Sequence, residues 1–174
     1  MAVAQHLVPT NYQKPYKKLT NNLQQRGKIM DSDSLKLTNQ LCFPLYAASK
    51  MVVGKYKPFL DEIDLTYTQY IVMMVLWEQK QISVKELGEC LHLDSGTLTP
   101  LLKRLESKKF VRRERSSEDE RIVTISITET GEQLKEQASK IPMQIGNCLP
   151  LEQEEAVTLY KLLYKLLETT TKSD

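Results

Sequence analysis

A chain of 174 residues with 41% hydrophobic and 26% charged side chains has the size and make-up of one folded domain with a real core. No apolar run approaches the roughly 20 residues that span a bilayer, and no signal peptide is visible, which argues against a membrane or secreted protein. Cys42, Cys90 and Cys148 are spaced too widely and irregularly for a zinc site or a disulfide framework, so we expect reduced cytoplasmic thiols with no metal and no cofactor.

The formal charge of +2 conceals a division. Residues 1–30 carry Lys14, Lys17, Lys18, Arg26 and Lys28 and no acidic residue, and the rest of the chain holds 19 basic against 22 acidic residues. That polar first stretch reads as a disordered basic extension. Met30-Asp-Ser-Asp-Ser-Leu looks like a natural start, so residues 1–29 are either a mis-assigned start or a real basic arm. The domain proper is expected over 31–174. Because it is mildly acidic, affinity for DNA must come from local clustering. Lys103 to Arg115 supplies it, with seven basic residues against Glu106 and Glu114.

In chain order, a first helix is predicted from about Ser34 to Tyr56, with Leu37, Leu41, Leu45, Ala48 and Val52 on one stripe. Pro44 inside it should kink it, and Pro58 should help to end it. Thr68–Glu78 is apolar throughout and reads as a central core helix. Ile82-Ser-Val follows as a short strand. Ser83, with Glu86 three residues on, is a capping box for a helix over Val84–Leu91. Asp94 or Ser95 opens the next helix, which ends near Lys108. Phe110–Arg115 and Arg121–Ile127 read as two strands joined by a charged tip. Thr128 starts a further helix, Pro142 interrupts the chain, and Glu152–Thr169 forms a last helix with two apolar faces. Such a helix needs two partners, its own domain and a second subunit.

Helix, short strand, two helices and a hairpin, in that order, make a winged helix-turn-helix: a mainly α fold with a small β-wing, here in a helical homodimer. In this arrangement the second helix of the pair enters the major groove of double-stranded DNA. Ser95, Thr97 and Thr99 offer hydroxyls at its start, Gly96 allows close approach, and Lys103 and Arg104 suit the backbone. Arg113, Arg115, Asp119 and Arg121 flank the wing, where Arg121 could enter the minor groove with Asp119 holding a neighbouring arginine.

Upstream, Cys42 is followed by Tyr46, Tyr56 and Tyr67. Phenols can donate hydrogen bonds to a thiolate and favour it, and the thiolate is the form that peroxides attack. Cys42 and Tyr56 are about 21 Å apart along one helix at 1.5 Å per residue. They could meet only if two such helices crossed antiparallel, in a site shared between subunits. Ordinary interface packing explains the same tyrosines equally well on spacing alone. Cys90 is expected to pack as a small apolar residue. Cys148 falls in an exposed-looking stretch, and His6 and His92 have no partner in sequence that suggests a role.

Leu41-Cys42-Phe-Pro-Leu-Tyr46-Ala, Tyr56-Lys-Pro58, Leu65-Thr-Tyr67, the run from Leu93-Asp-Ser-Gly to Arg104, and Glu118-Asp-Glu-Arg121 together resemble the organic-hydroperoxide-sensing branch of the MarR family of repressors. The resemblance spans about residues 34–170. It implies a homodimer that binds an inverted-repeat operator, with Cys42 as the sensor of organic hydroperoxides held by Tyr56 and Tyr67. It also implies a possible second cysteine, Cys148, that resolves the oxidised sensor. Pro44 departs from the aliphatic residue the family pattern has there. The broader redox-linked regulators of virulence and metabolism share most of these motifs. Two other readings stand beside this one: a regulator of the same fold released by a small aromatic ligand, and a thiol peroxidase. The peroxidase finds no CxxC pair and leaves the DNA-reading segment unexplained, so an enzyme is not expected.

Overall fold

The computed structural model describes residues 35–115 and 122–170. The basic extension therefore lies outside the described residues. A short 3-10 turn, Leu37–Asn39, precedes α1 (Cys42–Asp61), α2 (Tyr67–Gln79), β1 (Gln81–Ser83), α3 (Val84–Leu91), α4 (Ser95–Ser107), β2 (Val111–Arg115), β3 (Val123–Ile127), α5 (Glu129–Ala138), α6 (Ile141–Gly146) and α7 (Gln153–Thr170). By contacts the chain divides after Gly54, within α1.

The first helix starts later than its apolar stripe suggested, and proline is the reason. An interior Pro44 would deprive Gln40 of an amide partner and clash with its carbonyl. Starting the helix at Cys42 puts Pro44 in the first turn, where amides have no intrahelical partner anyway. The expected mid-helix kink at Pro44 therefore has no basis. Pro58 does not end the helix either. α1 runs on through it to Asp61 and closes in a turn in which Leu65 N–H bonds Leu60 C=O at 3.0 Å. Asp64 takes a left-handed conformation there (φ 52°). Lys108, just past α4, donates to the Asp64 carbonyl and pairs with its carboxylate at 2.9 Å.

The core forms around α2, which is apolar on nearly every side and buries Val72, Met73, Leu76 and Trp77. Thr66 and Gln69 cap its start reciprocally, which gives a partner to Gln69, the one buried polar or charged residue among the described residues. Ser83 and Glu86 do the same for α3, as the sequence predicts. Leu87 of α3 and Leu98, Leu102 and Leu105 of α4 meet this core, along with Ile125 of β3. The sheet is antiparallel in the order β1-β3-β2, with Ile82 opposite Ile125 and Arg113 opposite Ile125 on the other side. The predicted lone strand is thus the third strand of the wing sheet.

Gly131 fixes α5 against the sheet. A Cβ there would lie 2.1 Å from the Phe110 carbonyl oxygen, and its own carbonyl accepts the Trp77 indole N–H at 2.8 Å. The last helix corrects one expectation. No α7 side chain among the described residues is buried, and Val157, Leu159, Tyr160, Leu162, Tyr164, Leu166 and Leu167 are all exposed. Neither apolar face of α7 is buried in its own domain. Leu41, Leu45 and Met51 of the N-terminal unit are exposed as well. No described helix is long and apolar enough to cross a membrane.

Candidate functional site

The helix-turn-helix pair is α3 and α4, and Asp94 sets the start of α4. Its carboxylate accepts the Thr97 N–H at 2.9 Å and the Thr97 hydroxyl at 2.8 Å. These two bonds hold its pKa below the ordinary carboxylate range. His92, left-handed at φ 52°, ends α3 and lets the chain turn. With Leu98, Leu101, Leu102 and Leu105 buried, the opposite face of α4 is open. At 100° per residue, Gly96, Pro100 and Lys103 run down its middle. Ser95 and Thr99 flank one side, Thr97 and Arg104 the other. All seven are exposed.

The hydroxyls on that face are not equivalent. Thr97 gives its proton to Asp94, and Thr99 gives its proton to the Ser95 carbonyl at 2.7 Å. Ser95 has no side-chain partner among the described residues. Lys103 and Arg104 carry no ion pair among the described residues and remain available cations. Pro100 lies inside α4. It lacks the amide that would bond the Gly96 carbonyl, on the middle of the open face.

The wing residues divide. Arg113 is half-buried, pairs with Glu106 at 3.7 Å, and its N–H also bonds that carboxylate. It belongs to the junction of α4 and β2 more than to the exposed surface. Arg115 is exposed at the end of β2. Asp119 and Arg121 lie outside the described residues. A cleft of about 1300 Å³ opens between α3, α4 and the wing, lined by Lys85, Glu89, Ser95, Thr99, Arg113 and Ile122 among others.

All three cysteines are free and exposed. For Cys90 this overturns the packing role. The apolar stripe of α3 runs through Val84, Leu87, Gly88 and Leu91, and Cys90 falls on the far side of Leu87. Cys42 is the first residue of α1. Tyr46 follows it one turn on and is exposed. In the larger unit Tyr56 and Tyr67 stack edge to face at 4.9 Å, with Tyr70 6.0 Å from Tyr56. Burial raises the pKa of all three phenols, so they stay protonated at neutral pH. The Tyr56 and Tyr67 hydroxyls have no partner among the described residues, which leaves both protons to donate. Cys148 follows α6, its N–H bonded to the Ile145 carbonyl at 2.9 Å.

Capped helix pair, open recognition helix and three-stranded wing sheet define a winged-helix transcriptional regulator. A family model described as transcriptional regulator SarA/Rot matches residues 55–138. The organic hydroperoxide resistance transcriptional regulator of Bacillus subtilis is 50% identical over 137 residues, covering 79% of this chain and 93% of that protein. Among solved structures, reduced AbfR bound to DNA is 38% identical with a TM-score of 0.67, over 82% of this chain and 97% of that one. Disulfide-formed AbfR is 33% identical with a TM-score of 0.57, over 87% and 98%. AbfR comes from Staphylococcus epidermidis. The chain belongs to the MarR-type winged-helix family, in the branch of the organic hydroperoxide resistance regulators. Its relatives are transcriptional regulators and not enzymes.

Proposed function

We propose that this chain is a cytoplasmic, homodimeric repressor that holds an inverted-repeat operator while Cys42 is reduced and releases it when an organic hydroperoxide oxidises that thiol. The observation that carries this reading is the 50% identity to a regulator of organic hydroperoxide resistance across 93% of its length. The open face of α4 supports the DNA-reading role, with Ser95, Thr97 and Thr99 at base edges and Lys103 and Arg104 on phosphates. Arg121 extends the contact into the minor groove while Asp119 holds a neighbouring arginine, and Arg115 adds a cation at the end of β2. The exposed apolar faces of α1 and α7 support the dimer, since a monomer rarely leaves so much apolar surface in water.

Across that dimer, Tyr56 and Tyr67 of one subunit donate their phenol protons to the Cys42 thiolate of the other, with Tyr46 beside it. The thiolate attacks the outer peroxide oxygen, the O–O bond breaks, and the alcohol leaves with a proton, so that sulfur becomes a sulfenic acid. The bulkier group loses its phenol contacts and the crossed helices shift. The recognition helices then no longer match half-sites about 34 Å apart. The Cys148 thiol attacks the sulfenic sulfur, water leaves, and a disulfide between subunits locks the released state. A disulfide form of the related AbfR supports this last step.

The test is non-reducing electrophoresis after one equivalent of cumene hydroperoxide. We expect a covalent dimer in the parent that is absent in Cys42→Ser and in Cys148→Ser. A covalent dimer surviving Cys148→Ser contradicts the resolving step.

A further inference from the structure

A hydroxyl has one proton to give, and where it goes decides what the oxygen can read. On the open face of α4 both threonine protons are already committed within the helix: Thr97 to the Asp94 carboxylate at 2.8 Å, Thr99 to the Ser95 carbonyl at 2.7 Å. The first bond is charge-assisted and so stronger than a neutral one. Together with the Thr97 N–H, this bond holds the Asp94 pKa below its ordinary value, so the acceptor is an ionised carboxylate at neutral pH. Both side chains are exposed, and toward a ligand each presents only lone pairs and a methyl group.

From this we infer that Thr97 and Thr99 act as hydrogen-bond acceptors only, so that the start of α4 selects bases bearing an exocyclic amino group in the major groove. The inference rests on the DNA-reading role proposed above and names what that helix reads. Adenine N6 and cytosine N4 are the major-groove donors, while guanine and thymine present acceptor oxygens. A threonine lone pair facing guanine O6 or thymine O4 meets another lone pair and is repelled. Phosphate oxygens are acceptors too, so these threonines are poor backbone ligands, and that task falls to Lys103 and Arg104. On the strand facing each threonine, adenine or cytosine is favoured over guanine or thymine. Asp94 is a positioning residue in this scheme: it touches no base and fixes the direction of the Thr97 proton.

The experiment uses the reduced full chain to select duplexes from a random pool, then titrates the winner with single amino groups deleted. Purine replaces one adenine at a time, and 2-pyrimidinone replaces one cytosine. One position should lose about two- to tenfold in affinity, the effect of a single hydrogen bond. At that position Thr97→Val should lose nothing further, and Thr99→Val should behave likewise at a second position. Asp94→Asn keeps a good helix cap. Its amide can donate to the Thr97 oxygen, which frees the hydroxyl proton. Selection with this variant should move toward guanine or thymine at the Thr97 position, a switch that lost stability alone does not produce. Equal losses in the parent and both valine variants at every position overturn the inference, as does a parent preference for guanine or thymine there. A pool in which no sequence is enriched contradicts the DNA-reading role itself and takes this inference with it.

Discussion

The recognition helix and the last helix place their leucines in opposite ways. Leu98, Leu102 and Leu105 of α4 are at most 1% exposed, whereas Leu159, Leu162 and Leu166 of α7 are 44%, 56% and 49% exposed. Both helices are amphipathic, so apolar patterning does not separate them. What separates them is whether one chain can supply the partner. The DNA-reading part closes its core from within, around α2, with its helix starts capped. The last helix offers two apolar faces that its own domain leaves uncovered, and in the proposed homodimer a second subunit covers them.

The sharpest way to break this contrast is to strike the closed part. Gly131→Ala would drive a methyl group into the Phe110 carbonyl, 2.1 Å away. Leu105→Ala would open a cavity in the core. Each should cost about 2–5 kcal/mol in urea unfolding, with the cost independent of protein concentration. Leu162→Asp, on the exposed helix, should instead leave the monomer folded and halve the mass seen by sedimentation. Operator affinity should then fall with it, because one half-site remains engaged. A Leu162→Asp protein that stays dimeric removes α7 from the subunit interface.

Smaller effects test the caps. Ser83→Ala should cost about 1 kcal/mol by removing the acceptor for the Glu86 N–H. Glu86 and Asp94 both have pKa values lowered by hydrogen bonds in the folded chain. Their contribution is therefore complete above the ordinary carboxylate pKa values of 4.5 and 3.8 and is lost as pH falls through the lower folded values. Stability of Asp94→Asn should accordingly vary less with pH below about 4 than that of the parent. An identical acid limb in the two proteins would remove Asp94 from the acid-sensitive set.

How much of this was legible depended on whether a signal was local. Ser83 with Glu86 is a cap written in four adjacent residues and stands where the sequence places it; Thr128 likewise marks the start of α5, and of Asp94 and Ser95, both offered by the sequence, Asp94 is the cap. The two prolines of α1 misled because proline's effect depends on its distance from the helix start, which apolar spacing does not fix. Pro44 moved that start to Cys42, while Pro58 sits within a helix that continues past it. Cys90 suggests packing by residue type, but it lies well round α3 from the centre of the Val84, Leu87, Gly88 and Leu91 stripe and is exposed. Gly131 gave no signal at all, since what it accommodates is a carbonyl 21 residues earlier in the chain. The committed protons of Thr97 and Thr99 were equally invisible, because residue identity names a hydroxyl without saying where it points.

The central claim is that the oxidation state of Cys42 sets operator affinity. Fluorescence anisotropy of a labelled duplex selected by the reduced protein measures this directly, for the parent and for Cys42→Ser, before and after one equivalent of cumene hydroperoxide. Serine keeps the hydrogen bonds but cannot be oxidised, so both reduced proteins should bind alike. After peroxide the parent should lose roughly 10- to 100-fold in affinity, the usual range of coupling between two sites, while Cys42→Ser should not change. Equal peroxide-induced release by Cys42→Ser would contradict the account.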